Sequence, residues 1–425
     1  MLAPLAIGTA SGDGCSVGNG KTRQEIRPLT VNCANSDGAR HVLVVEPVRH
    51  GEEHQPFNTS LLLSCLAAFP NARITFAAHP SHLETVQKSI TNVNQLKFLP
   101  MELPPRHSRG VARLRGDWRL GRLLTRRLAE QPTDRLILTS VTTELIWALK
   151  ANPASKQLPP ALAILHGGLS EALRVPRYNL LARAASLRKA LENAPATFRF
   201  AVLEHSILEM LDKRAPEVAK RVGVLPHPLP PDLLEARSQK VIKPDDHVRV
   251  GLLGLCTPQK GLFRFLELAR HARETGVSKL RFEIVGRLHQ DSVSAAEPYM
   301  KYLDRGPASG RVPRENFIEA MTHLHYGAFL FEGNHYDLTA SGVLLDCVGL
   351  SMPLVKTDGP LVRSLETRVG PIGLSIADDP GEATNRILSE SYDNYQEMAG
   401  NMTVLRDTRT PDAIACRIKA FFVTS

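Results

Sequence analysis

Short apolar runs rich in β-branched residues alternate along this chain with stretches whose apolar positions recur every three or four residues. The first run, His41-Val42-Leu43-Val44-Val45, has the make-up of a parallel strand buried on both faces. A polar loop over 46–55 separates it from a helical pattern of Phe57, Leu61, Leu62, Cys65, Leu66 and Phe69. Ile74-Thr75-Phe76-Ala77-Ala78, a helix through Leu83 and Val86, and Leu96-Lys97-Phe98-Leu99 continue the alternation. Later strands are predicted at Leu136-Ile137-Leu138, Leu162-Ala163-Ile164-Leu165 and Phe198-Arg199-Phe200-Ala201-Val202-Leu203. Strand and helix in strict turn predict a doubly wound α/β domain.

The pattern stops near Val222, where Leu225-Pro226-His227-Pro228-Leu229-Pro230-Pro231 has the proline density of a connector. A second alternation opens at Val248-Arg249-Val250-Gly251-Leu252-Leu253. Leu262, Phe265, Leu266, Leu268, Ala269 and Ala272 then mark one face of a helix that Gly276 can end. Phe282-Glu283-Ile284-Val285, Ala328-Phe329-Leu330-Phe331 and Pro353-Leu354-Val355 are its further strands, and the last helices run from about Pro380 to Phe422. The expected division is a disordered tail over 1–38, a first domain over 39–232, a linker over 233–246, a second domain over 247–395 and terminal helices over 396–425. Two similar doubly wound, Rossmann-like domains facing a cleft are the simplest architecture.

Composition narrows the class. With 425 residues, 43% hydrophobic and 22% charged, the chain has material for two soluble cores. No apolar run reaches the roughly 18–20 residues of a membrane span, and the opening stretch lacks the basic leader of a signal peptide. Six scattered cysteines without CxxC pairs suit a reducing compartment and argue against disulfides or a structural metal. The formal charge of +9 points to anionic partners without choosing among phosphates, lipid and nucleic acid.

Two turns carry candidate chemistry. The first, Gly254 to Gly261, reads GLCTPQKG and leads from a strand into a helix. A diphosphate needs N–H donors at a helix N-terminus and a nearby cation, and Gly254, Lys260 and Gly261 can supply a tight turn, the charge and close backbone approach. A plain turn with a solvated lysine explains the same residues. In the second, Tyr336-Asp337-Leu338-Thr339-Ala340-Ser341-Gly342, Thr339 is placed to cap a helix whose first turn holds Ser341 and Gly342. Asp346, one turn on, can accept hydrogen bonds from sugar hydroxyls, or simply suit the helix dipole.

Taken in order, the residues from Gly254 to Pro353 resemble the donor-nucleotide domain of GT-B glycosyltransferases, above all the retaining family 4. There a G-x-x-x-x-x-K-G turn, a V-G strand end, a loop-helix with a terminal acid and a small-x-P-V-I strand follow one another. Here these look like Gly254 to Lys260-Gly261, Val285-Gly286, Ser341-Gly342 to Asp346, and Ser351-Met352-Pro353-Leu354-Val355. The resemblance implies a GT-B fold in which Lys260 meets the donor diphosphate, Ser341 and Gly342 offer it backbone donors, Arg287 assists and Asp346 holds the ribose. Three positions depart from it: Leu255 where arginine is common, Leu338 where a glutamate opens the loop, and Asp346 for glutamate. Glu332 and Asp337 are nearby acids at the wrong spacing.

The first domain would then take the acceptor. His54 and Asn58, four apart, share a helical face where this fold meets the cleft. His166-Gly167-Gly168 follows a strand directly, where open α/β sheets collect ligands, and in the resembled enzymes a histidine there contacts the donor sugar. His205 and Ser206 are weaker candidates, Ser206 being explained as a cap. Ordinary helix starts and turns remain open at each place. Without a DxD triplet, no metal and no cofactor are expected, and catalysis would rest on His166, Lys260, positioning and charge stabilisation.

The segment 104–127 carries eight arginines against one acid, Asp117. Arg113, Arg115, Trp118, Arg119, Arg122 and Arg126 make a basic, partly amphipathic face suited to an anionic membrane surface, or to plain solvation. Nucleic acid is not expected, for want of an aromatic platform. The function implied is transfer of a sugar from a nucleotide-diphosphate sugar to a saccharide or lipid-linked saccharide, by a cytoplasmic protein able to lie on the membrane face. A non-catalytic scaffold of the same fold and a nucleotide-sugar epimerase are the alternatives.

Overall fold

The computed structural model describes residues 38–90, 93–103, 110–151, 158–166, 169, 186–195, 197–236, 247–331, 333 and 337–423. The expected tail, apart from residue 38, lies outside this set, as do Gly167, Gly168, Glu332 and most of the expected linker.

Two parallel sheets organise the described chain. The first holds seven strands in the order β3-β2-β1-β4-β5-β6-β7, with β1 His41–Val45, β2 Arg73–Ala78, β3 Leu96–Pro100, β4 Arg135–Leu138, β5 Ala161–Ile164, β6 Phe198–Val202 and β7 Val222–Val224. The second holds five in the order β12-β11-β10-β8-β9, with β8 Val248–Cys256, β9 Leu280–Leu288, β10 Tyr326–Phe329, β11 Leu354–Lys356 and β12 Gly373–Ser375. Every strand pair is parallel. All five residues of β1 are buried, as its apolar run requires when helices cover both faces.

Strand order reverses between β1 and β4 in the first sheet and between β8 and β10 in the second. At such switch points the loops leave in opposite directions and open a crevice beyond the carboxyl ends of the strands. The two glycine-bearing turns of the second domain leave β8 and β10, so they border that crevice from its two sides.

The helices that matter to the crevice are α1 Gln55–Ala68, α2 Pro80–Ser89, α3 Gly110–Glu130, α4 His205–Arg214, α5 Pro231–Glu235, α6 Leu262–Glu274, α7 Arg314–Thr322, α8 Gly342–Gly349, α9 Pro360–Val369, α10 Tyr392–Asp407 and α11 Pro411–Val423. The expected linker begins inside α5, where Leu233 is buried in the core of the second sheet. The terminal helices divide. Met402 and Leu405 of α10 join that same core, whereas Ile414, Ile418 and Phe422 of α11 pack with Leu61 of α1 and with Phe69 just after it. The chain therefore crosses back to the first domain at its end. The buried Arg409 guanidinium fixes this crossing by donating to both oxygens of Glu204 at 2.9 and 2.8 Å, and Leu229 N donates to Arg409 O at 3.0 Å.

Cys65, Cys256 and Cys347 are free and buried. Cys416 is disulfide-bonded, against the expectation of free thiols throughout. Sequence spacing speaks to local metal clusters and carries no information on a single crosslink.

Candidate functional site at the interdomain crevice

The first turn is built from glycines that no other residue replaces cheaply. Gly254 and Gly286 are register partners on β8 and β9 with φ of +76° and +150°, and a Cβ on Gly286 would stand 1.9 Å from Gly254 O. Gly261, the N-cap of α6, has φ +77°, and its Cβ would stand 2.0 Å from Leu330 O, just beyond β10. The turn after β8 thus lies against the chain leaving β10. Lys260 is half-buried, and burial depresses its pKa below the ordinary lysine value. Among the described residues no carboxylate pairs with it. Leu255 is 37% exposed, and its register partner Arg287 is exposed too. Paired residues of adjacent strands project from one sheet face, so a guanidinium stands beside the position where the resemblance expects one.

The second loop differs from expectation in its cap. Ser341, not Thr339, is the N-cap of α8, its Oγ accepting from Leu344 N at 3.3 Å, while Thr339 is exposed. Both are good cap types two residues apart, and the helix starts at the later one. Gly342 is exposed, with open space where a Cβ would be. Upstream, Leu338 is 7% exposed and lies in a hydrophobic core of the first domain, and Asp337 accepts from Arg214 of α4 at 3.0 Å. Burying such a leucine contributes roughly 2 kcal/mol, so the apolar residue at the family's glutamate position fastens this loop across the crevice.

Asp346 does not stand open to a ribose. Its side chain is 13% exposed, and Oδ1 pairs with Arg314 Nη2 at 2.8 Å. Arg314 Nε donates to Asp232 Oδ2 at 2.8 Å, and the guanidinium lies over the Phe317 ring at 5.6 Å. Burial raises the pKa of Asp346 against the opposing pull of Arg314. Burial works the other way on Arg314, yet the two carboxylates outweigh it and hold its pKa up. Arg314 escaped the sequence reading. Its only signal is its place at the start of a helix after Pro313.

Opposite these residues, the first domain presents three histidines. His54 is the N-cap of α1 in a left-handed conformation, φ 57°. Its ring stacks on His166 with centroids 4.0 Å apart, and Phe57 meets the edges of His166 and His227 at 4.6 and 5.0 Å. Burial, then Arg49, pulls His54 down to about 4; burial holds His227 at about 4 and, with His54 next in importance, His166 well below the ordinary value. The cluster is neutral at physiological pH. The Nδ1 atoms of His54 and His166 are buried without a hydrogen-bond partner among the described residues. His227 was missed because it sits in the proline-rich connector, read there as a linker.

Asn58, expected beside His54 on the acceptor side, is fully buried elsewhere. Its Nδ2 donates to Glu46 Oε2 at 3.1 Å and to His82 Nε2 at 2.8 Å, while His82 Nδ1 meets Gly51 O at 2.6 Å. The Glu46 carboxylate also accepts from Thr139 and Ser140 hydroxyls and from Val48 and Arg49 N–H. Although burial raises its pKa, these hydrogen bonds leave it below the ordinary value. Asn58 thus fixes the loop that carries His54 and does not reach the cleft. His205 is likewise drawn down to about 4 by burial and Arg368, and Ser206 is buried without capping α4, whose N-cap is Glu204.

His54, His166 and His227 from the first domain and Arg314, Gly342 and Asp346 from the second line one cavity of about 310 Å³. The predicted His54, His166, Gly342 and Asp346 thus come together. Lys260, Gly254, Gly261, Gly286 and Arg287 lie on the neighbouring strand ends instead. Among the described residues no cluster of three His, Cys, Asp or Glu side chains could hold a metal ion, and no helix is long and apolar enough to cross a membrane. On α3, Arg115, Trp118, Arg119, Arg122 and Arg126 are exposed on one stripe, and Arg126 Nε meets Glu130 at 2.6 Å. The side chain of Arg113 lies outside the described set.

Two Rossmann-like domains facing a crevice, with the last helix returning to the first, form the GT-B fold. Solved structures share it across nearly their whole length. Sucrose-phosphate synthase from Thermosynechococcus elongatus matches with a TM-score of 0.59 at 12% identity, covering 91% of this chain and 98% of its own. HepE from Anabaena, in complex with UDP and glucose, matches at 0.58 and 13%, covering 91% and 100%. An α,α-trehalose-phosphate synthase (UDP-forming) from Burkholderia xenovorans, in complex with glucose-6-phosphate, matches at 0.58 and 12%, covering 90% and 99%. At these identities the likeness is one of fold. No family model and no curated protein matches the sequence.

Proposed function

We propose that the protein is a glycosyltransferase that moves a sugar from a nucleotide-diphosphate sugar to a saccharide or lipid-linked saccharide, with retention, in polysaccharide or glycoconjugate synthesis. The observation that carries this reading is the meeting of the Gly254–Gly261 turn with the chain leaving β10 at the switch point of the second sheet. The exposed start of α8 and the half-buried Lys260, which has no carboxylate partner among the described residues, can then neutralise a leaving diphosphate, with Arg287 beside Leu255 adding the charge absent from that residue. The anomeric carbon loses its diphosphate oxygen and gains an acceptor hydroxyl oxygen, whose proton leaves with the departing nucleotide diphosphate. His166, neutral and facing the cavity, is suited to hydrogen-bond the sugar in transit. That the fold neighbour HepE is in complex with UDP and glucose supports the donor class.

The stripe of α3 supports an acceptor met at an anionic lipid surface. Four exposed arginines accompany Trp118, 38% exposed, and such basic residues contribute roughly 1 kcal/mol each near anionic lipid. Flotation with anionic liposomes tests this: salt-sensitive binding is expected, and equal flotation with neutral vesicles refutes it. Turnover is tested by release of UDP or GDP from their sugars in the presence of oligosaccharide and lipid-linked acceptors. A second reading, a donor-binding protein without turnover, is favoured by the Arg314 pair that occupies Asp346. Donor binding with no nucleotide release under any acceptor would establish it.

A further inference from the structure

We infer that the sugar taken by the crevice cavity is a single uncharged ring, and that the Arg314–Asp346 pair excludes acidic sugars. This rests on the glycosyltransferase reading and deepens it.

The cavity's 310 Å³ stands at the small end of ligand pockets, which run from about 300 to 1,000 Å³, so it suits one ring better than a chain of them. Phe57 and Leu345 give it apolar wall for the C–H faces of a pyranose. Its polar groups are matched to hydroxyls. The buried Nδ1 atoms of His54 and His166 have no partner among the described residues, and buried polar groups of that kind are rare unless something fills the space between them. A hydroxyl both donates and accepts, so it satisfies either tautomer of a neutral imidazole.

Charge completes the argument. Among the described residues Arg314 is the one guanidinium or ammonium side chain lining the cavity, and Asp232 and Asp346 already hold two of its nitrogens at 2.8 Å each. A carboxylate carried on the sugar ring would have to displace Asp346 or sit beside it as a like charge. The stacked His54 and His166 rings, 4.0 Å apart, offer no substitute cation, because a proton on one opposes a proton on the other. A neutral ring meets none of these costs. In polar sites of this kind, selectivity comes as much from what is left unpaired or repelled as from what is gained.

Titration of the purified full chain with matched pairs tests the inference: UDP-glucose against UDP-glucuronate, GDP-mannose against GDP-mannuronate, each beside UDP or GDP alone. We expect the neutral sugar nucleotide to bind more tightly than its parent nucleotide, and the acidic one at least tenfold more weakly than the neutral. Asp346→Asn, which removes the charge facing Arg314 Nη2, should narrow that gap tenfold or more. If the acidic sugar binds as well as the neutral, or Asp346→Asn leaves the ratio unchanged, the inference falls while the glycosyltransferase reading stands. If neither UDP, GDP nor any of their sugars binds, both fall together.

Discussion

Arg314 offers the most direct physical test of how the crevice is held together. It pairs with Asp346 and Asp232 at 2.8 Å each, and the Asp346 side chain is only 13% exposed. Replacing Arg314 by methionine keeps most of the volume over Phe317 but leaves Asp346 buried without its cation. Breaking a buried pair on one side costs about 3–5 kcal/mol. Because Arg314 is itself a third exposed, the loss should lie at or below the bottom of that range, about 2–3 kcal/mol at pH 7. Burial already raises the Asp346 pKa, and loss of Arg314 removes the opposing attraction. A raised folded-state carboxyl pKa means that the folded protein binds the extra proton, so the deficit should shrink as pH falls and Asp346 is neutralised. Arg314→Met/Asp346→Leu should recover most of the loss, since Asp232 is 37% exposed and can turn to water. Urea denaturation of the wild type, both single variants and the double at pH 7 and pH 5 gives the coupling energy. A single-variant loss under 0.5 kcal/mol, a loss independent of pH, or additive variants would refute the reasoning.

Two further predictions concern the glycines and the histidines. Gly261→Ala forces a Cβ onto Leu330 O in a left-handed turn and should cost at least about 2 kcal/mol, whereas Gly342→Ala, facing open space, should leave the denaturation midpoint within about 0.5 kcal/mol of wild type while weakening nucleotide binding. His54, His205 and His227 titrate at about 4 in the folded protein against 6.5 ordinarily. The unfolded chain therefore binds more protons between those values. Stability should be full above pH 6.5 and decline as pH falls toward 4, by at most roughly 3 kcal/mol per histidine. His54→Phe, measured across the same range, should flatten the profile; an unchanged slope would show that its ring is not held neutral.

The legible parts of the fold were those written locally. The strands of the two sheets are apolar because helices cover both faces, and Gly254 and Gly261 stand where the backbone needs positive φ. What escaped depends on partners far away in sequence. Leu338 reads as a missing acid until the first domain's core is seen to receive it. Asn58 shares a helical spacing with His54, yet Glu46 and His82 turn its amide inward. Thr339 and Ser341 are both good cap types, and nothing in the local sequence chooses between them. Arg314 carries no local mark, because its role is defined by two carboxylates from different elements.

The central claim is that the ends of β8 and β10 bind a nucleoside diphosphate with help from Lys260. Calorimetric titration of the wild type and of Lys260→Ala with UDP and GDP tests it most directly. The account predicts saturable binding of at least one of them at one site per chain, tenfold or more weaker in Lys260→Ala, with the thermal melt of the unligated variant unchanged. Equal affinity in the variant, or no heat with either nucleotide, would contradict it.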